Sequence, residues 1–128
     1  MSEPVRGVVV GHASLAAGMV ASVQAIAGVG DDALAAISNE GCSPEALQTR
    51  VDAALQGAES AIVFTDLGSG SCAFVARRIA LSRPGTGIIT GVNLPILLDF
   101  VFHREMALPE LVARLVDKGR TGISGANK

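Results

Sequence analysis

Short runs of β-branched and aliphatic residues alternate with longer Ala- and Leu-rich segments along this chain, and that rhythm restricts the fold more than any other feature. A strand that is apolar at every position needs cover on both faces, and the intervening segments are long enough to be the covering helices. The alternation predicts an α/β domain, a doubly wound sandwich with a mainly parallel sheet of order 2-1-3-4.

The expected strands are residues 5–11, 33–38, 60–65 and 86–92. The second is rich in Ala and is compatible with a helix as well. A first helix is expected over 14–28, where Leu15, Met19, Val23 and Ile26 recur at three- and four-residue steps and Gly28 offers a stop. Gly18 inside it costs helical propensity and suggests close backbone packing there. Ser43, Pro44 and Glu45 form a helix entry, with a side-chain cap, a preset φ and a charge suited to the dipole; that helix runs to residue 55 or 56. Further helices are expected over 71–81, from the cap Asn93 onward, and over 109–118. The tail after it reads as loose, or as a segment held by a partner subunit. No repeat, low-complexity tract or linker divides residues 1–128, which are read as one domain.

The chemistry-bearing feature is His12, released from Val8, Val9 and Val10 through Gly11 just before the first helix. Open α/β sheets bind ligands at the carboxyl ends of their strands, and an imidazole titrates near neutral pH. By itself this is compatible with chemistry or with a structural, capping role. Strand three ends at Asp66, beside strand one in the expected order. A carboxylate there can accept a hydrogen bond from Nδ1 and leave the Nε2 lone pair free, although Asp66 could equally form an Asx-turn. Gly68, Ser69, Gly70 and Ser71 follow, offering backbone N–H groups without bulky side chains at a helix start. Such a segment can cradle an anion; the Lys-bearing phosphate-loop pattern is missing. Together these residues suit a phosphohistidine intermediate, with His12 and Asp66 as catalytic pair and Gly68 to Ser71 as phosphate-binding loop.

Composition removes several function classes. Net charge is −2 with no Lys or Arg cluster, and aromatics make up 3% with neither Trp nor Tyr, so no nucleic-acid footprint or stacking platform is expected. No apolar stretch reaches the roughly 18 residues of a membrane span. The amino-terminal segment lacks the basic start and apolar core of a signal peptide, so a cytoplasmic location is expected. Cys42 and Cys72 show no CxxC spacing and no His nearby in sequence, and no acidic cluster suggests Mg²⁺; neither metal nor cofactor is expected.

Other candidates read as structural. Cys72 and Arg78 match the Cys-x5-Arg spacing of cysteine phosphatases, but the residues between them are apolar and helical, without the Gly needed to wrap a phosphate. His103 is best explained as a cation at a helix C-terminus. Arg77 and Arg78 are read as pairing with carboxylates or with an acidic partner, or as lying on a solvated face.

With these residues in place, the chain resembles the enzyme IIA domain of the mannose-type (mannose/fructose/sorbose) phosphotransferase system over nearly its full length. The matching segments are ValValValGlyHisAla (8–13), PheThrAspLeuGlySerGlySer (64–71) and GlyValAsnLeuProIleLeuLeu (91–98). The resemblance implies that His12 accepts the phosphoryl group, Asp66 is its hydrogen-bonding partner, and Ser71 is part of the pocket; Arg78 falls where the family carries an Arg. It further implies a phosphoryl carrier of the phosphoenolpyruvate-dependent sugar phosphotransferase system. The group would arrive from the phosphocarrier protein HPr and leave to a IIB component, with the membrane reached only indirectly through a permease. A homodimer that exchanges C-terminal segments is implied as well. The loop after Asp66 departs from the pattern of sugar-transporting members, which often carry Trp and a Gly-Gly-Ser-Pro run, and resembles the phosphocarrier subunit of dihydroxyacetone kinase. Two other readings accompany the carrier: a phosphorylation-dependent regulatory module without transport, and a small-molecule binding module using the same anion cradle.

Overall fold

The computed structural model describes residues 3–28 and 32–127. Met1 and Ser2 of the amino-terminal segment and Lys128 of the tail lie outside them. Strand β1 (Arg6–Gly11) leads to helix α1 (Leu15–Ala27), β2 (Leu34–Ser38) to α2 (Pro44–Ala54), β3 (Ala61–Thr65) to α3 (Ser71–Ser82), and β4 (Thr86–Thr90) to α4 (Leu94–Val101) and α5 (Leu108–Thr121). The sheet is parallel, as the rhythm predicts, and its order β2-β1-β3-β4 is the one expected of the doubly wound sheet. The Ala-rich segment 34–38 is a strand: it pairs with β1 from Gly7↔Leu34 to Gly11↔Ser38, and sheet pairing overrides its helical propensity.

Strand alternation sorts the core into two layers. Val5, Val9, Ile62 and Phe64 point to the face covered by α1, α4 and α5, where Val20, Leu97, Phe100, Leu111 and Leu115 meet them. Val8, Val10, Ala61 and Val63 point to the other face, where α2 and α3 supply Leu47, Val51, Cys72, Val75 and Ile79. With so few aromatic residues the core is aliphatic except at Phe64 and Phe100. Their rings meet edge to face at 5.2 Å.

Local chemistry sets the boundaries. Ser43 Oγ accepts the Ala46 N–H at 3.1 Å and Asn93 Oδ1 accepts the Ile96 N–H at 3.1 Å, each helix having Pro in its first turn. Strand β4 stops at Thr90, short of the expected residue 92, because Gly91 turns the chain at φ 69°. Helix α5 runs three residues past the expected 118, to Thr121. Gly119 does not break it, since its missing Cβ makes room for Ile96: a methyl there would sit 2.6 Å from Cδ1. Gly18 differs from expectation. No atom lies within 4 Å of the position its Cβ would take, so it serves no close packing; it sits on the exposed side of α1.

His103 occupies the expected helix-end position. Its Nδ1 donates to the Asp99 carbonyl at 2.8 Å and lies 3.4 Å from the Asp99 carboxylate, which Arg114 of α5 grips with two further bonds at 2.7 and 3.1 Å. Burial pushes the Asp99 carboxyl up, but Arg114, His103 and Lys118 outweigh it and hold it below the usual range. This network ties α4 to α5 on the face away from α3. No described helix is long and apolar enough to cross a membrane.

Candidate functional site

The loops leaving β1 and β3 diverge to opposite faces of the sheet, α1 to one and α3 to the other, which opens a crevice at their carboxyl ends. His12 and Asp66 stand on the two sides of that crevice. The pairing Val10↔Thr65 sets the two strand ends level, so the side chains meet across a sequence separation of 54 residues. His12 Nδ1 lies 2.8 Å from Asp66 Oδ2, and the His12 backbone N–H donates to the same oxygen at 2.9 Å. Asp66 Oδ1 accepts the Leu67 N–H at 2.9 Å. Buried Thr65 donates its hydroxyl to the Leu67 carbonyl at 2.7 Å, which pins the turn after β3.

These contacts fix charge and tautomer together. Burial raises the Asp66 carboxyl, yet the His12 backbone N–H, the His12 ring and the Leu67 N–H overcome that and hold it below the usual carboxylate range. An ionised Asp66 has only acceptor capacity, so the bond to Nδ1 is assigned as Nδ1–H donating, which leaves the lone pair on Nε2. The imidazole is 45% exposed while the Asp66 side chain is 8% exposed. A large reaction partner can therefore reach the ring but not its orienting carboxylate.

The turn into α1 is tight, with the Leu15 N–H returning to the His12 carbonyl at 3.1 Å. Ala13 makes it possible at φ 51°; among the described residues it is the one non-glycine at positive φ, a conformation that costs an L-residue about 1–2 kcal/mol. The backbone strain sits directly beside the imidazole.

Residues 68–71 are distributed unevenly around the ring. Gly70 is nearest: a Cβ on it would lie 3.9 Å from His12 Cε1 and 4.0 Å from Nε2, and its φ of 89° disfavours any side chain. It also precedes α3, whose first helical bond runs from the Phe74 N–H to the Gly70 carbonyl at 3.0 Å. The amides of Ser71, Cys72 and Ala73 therefore have no partner within the helix, and the positive end of its dipole opens beside His12. Ser71 Oγ accepts from Asn39 Nδ2 at 3.0 Å. Gly68 sits against Thr90, and its carbonyl is held by Arg77 at 2.9 Å; Ser69 is exposed between them. Arg78 is exposed with its guanidinium 5.6 Å from the centre of the Phe74 ring.

Asn39 escapes sequence reasoning, and Cys72, read from the sequence as structural, proves to be a neighbour of the site as well. Asn39 follows β2 and is placed by its N–H bond to the Gly11 carbonyl at 3.1 Å; a polar residue at the end of the strand next to β1 was the available signal. Cys72, fully buried in the α2/α3 layer, brings Sγ to 3.9 Å from His12 Nδ1. Burial and the Asp66 carboxylate push its thiol up against a smaller pull from Ser71, so it is not the activated thiolate that a cysteine phosphatase needs. Cys42 is a minor contact of Arg50 at 3.5 Å.

Fold and site together define an open α/β domain that presents an oriented, half-exposed histidine at its switch point. The family model EIIA-man, described as the PTS system fructose IIA component, matches residues 7–116. The chain belongs to this family, the mannose-type IIA components of the phosphotransferase system. Solved structures share the fold. Phosphotransferase system component EIIA from Streptococcus agalactiae superposes with a TM-score of 0.88 at 21% identity, covering 94% of this chain and 96% of that one. The mannose/sorbose specific IIA subunit from Enterococcus faecalis gives 0.85 at 22% identity, covering 98% and 97%. A sigma-54 interaction domain protein from Enterococcus faecalis gives 0.79 at 15% identity, covering 95% of each chain. No curated protein matches by sequence.

Proposed function

We propose that this protein, residues 1–128 as one IIA domain, carries a phosphoryl group on Nε2 of His12, taking it from the phosphohistidine of HPr and giving it to a IIB component. The observation that carries the reading is the 2.8 Å contact between His12 Nδ1 and Asp66 Oδ2 behind a half-exposed ring. In the accepting step Nε2 forms a bond to phosphorus as the donor's N–P bond breaks, and the donor imidazole leaves with the electron pair. Positive charge then develops on the His12 ring, where the adjacent carboxylate stabilises it. The incoming phosphoryl oxygens meet the free amides at the start of α3 beside Gly70, whose lack of a side chain keeps that approach open. Residues 68–71 serve as the phosphate-binding loop, with Ser71 held by Asn39. Neither metal nor cofactor is required for transfer between two imidazoles.

A regulatory reading is favoured by one specific observation: the same fold occurs in a protein described as a sigma-54 interaction domain. The chase experiment separates the two. After phosphorylation with phosphoenolpyruvate, enzyme I and HPr, the labelled protein is mixed with candidate IIB components and with dihydroxyacetone kinase subunits. Rapid loss of label to a IIB component is the expected result. Retention of the label with every acceptor, together with a protein partner that binds only one phosphorylation state, contradicts the carrier role and supports regulation.

The carrier reading includes a homodimer. Strand β4 is an edge of the described sheet, and beside it runs a groove of about 340 Å³ of mixed lining, apolar at Ile88, Ile89 and Ile96 and polar at Asn93 and Arg120, with Ile123 of the chain's own tail among its walls. The described tail residues 122–127 are exposed and form no strand with their own sheet, and an unpaired sheet edge accepts an added strand. Sedimentation of the full chain is expected to give twice the subunit mass, and the subunit mass after removal of the residues beyond Thr121. A single-subunit mass for the full chain contradicts it.

A further inference from the structure

Beyond its place in the core, Cys72 has a second role within reach. His12 Nδ1, Asp66 Oδ2 and Cys72 Sγ are separated by 2.8 and 3.9 Å where they touch the ring nitrogen, and one ligand atom from each side chain lies within 4.8 Å of both others. Two atoms bound to one tetrahedral Zn²⁺ at about 2.0–2.3 Å stand roughly 3.3–3.8 Å apart. Opening the Nδ1–Oδ2 pair by roughly half an ångström, with Sγ moving inward, brings the three onto one ion. A mixed nitrogen, oxygen and sulfur set selects a borderline-soft cation over Mg²⁺ or Ca²⁺. Three protein ligands leave a fourth position open, the pattern of an exchangeable rather than a structural site.

We propose that His12, Asp66 and Cys72 form a binding site for a thiophilic divalent cation, Zn²⁺ being the best match, and that its occupation switches off phosphoryl acceptance. The consequence, though not the binding, rests on the reading of His12 as acceptor. Binding proceeds with a balanced set of protons. The cation takes the Nδ1 lone pair, and the proton that Nδ1 carried reappears on Nε2, so the ring stays neutral while the nucleophilic lone pair is lost. The Cys72 thiol gives its proton to solvent and binds as thiolate, and Asp66 exchanges its bond to Nδ1–H for one to the ion.

Cobalt(II) replaces zinc and reports thiolate ligation by a near-ultraviolet charge-transfer band. The full chain and Cys42→Ser are expected to show the band on titration with Co²⁺, and Zn²⁺ is expected to abolish it by competition. Cys72→Ser, which preserves side-chain size, loses the band, and His12→Ala weakens or removes it. A wild-type protein without the band, or a band that survives in Cys72→Ser and disappears in Cys42→Ser, overturns the site. For the consequence, zinc is expected to slow phosphorylation by HPr at least about tenfold in the wild type and less than about twofold in Cys72→Ser, each relative to its own zinc-free rate. Equal inhibition of both overturns the switch. Absence of phosphorylation without zinc contradicts the proposed function instead, and leaves the cobalt result to decide the site.

Discussion

Asp66→Asn is expected to slow phosphorylation of His12 by about 10²–10⁴-fold while leaving the protein folded. The carboxylate is an acceptor only, so it holds the proton on Nδ1 and the lone pair on Nε2. An amide presents N–H as well as oxygen, and a donor facing Nδ1 drives the ring proton to Nε2. The substitution also removes the negative charge that stabilises the ring as phosphorus is bound. Both losses act on the rate, whereas the fold keeps one of the two backbone bonds: the amide oxygen still accepts the Leu67 N–H, and the His12 N–H loses its acceptor at a cost of about 1–3 kcal/mol, less than an ordinary domain's stability. Quenched-flow labelling with phospho-HPr reads the effect, with circular dichroism as the fold control. A rate within about threefold of wild type in a folded variant removes Asp66 from the mechanism.

The second large effect is on stability. Phe100→Ala is expected to cost about 3–5 kcal/mol, a large part of the roughly 5–15 kcal/mol that holds an ordinary domain folded. Phe100 is fully buried, meets Phe64 edge to face at 5.2 Å, and fills the space left by Gly7, where a Cβ would come within 2.7 Å of its ring. The hole stays open, because Phe64 and the aliphatic residues of the layer are already packed against one another. Denaturant melts at equal protein concentration measure the loss. A change below about 1 kcal/mol contradicts this account of the core.

The fold was legible because both signals that define it are local. Val8, Val9 and Val10 need cover on two faces whatever surrounds them, and Ser43 and Asn93 cap helices with bonds to residues three positions on. His12 and Asp66 were legible for a related reason: each terminates an apolar run, and strand order makes them neighbours. Asn39 and Cys72 were not legible. Asn39 meets Ser71 across 32 residues and Cys72 meets His12 across 60, and only the register of β2, β1 and β3 brings them together. Cys72 was further disguised by its surroundings, since a cysteine in an apolar helix reads as core, and it is core as well. The spacing argument against zinc applies to ligand pairs set by one local turn. It does not cover ligands gathered from separate strands and a helix.

Gly18 and the end of β4 show the limits of reading single residues. A glycine within a helix suggests close approach, but Gly18 faces open space and Gly119 is the one that admits a neighbour. Which of the two packs depends on helix rotation against the sheet. That rotation follows from the whole apolar stripe, Leu111 and Leu115 in α5, Val20 and Val23 in α1, rather than from the glycine itself.

The central claim, that Nε2 of His12 carries the phosphoryl group, is tested most directly by intact-protein mass spectrometry after incubation with phosphoenolpyruvate, enzyme I and HPr, with phosphorus NMR to locate the bond. The account predicts a gain of one phosphoryl group, held as an Nε2 phosphoramidate on His12 and absent from His12→Ala. A phosphoryl group that persists in folded His12→Ala, or a wild-type protein that gains none from phosphorylated HPr, contradicts it.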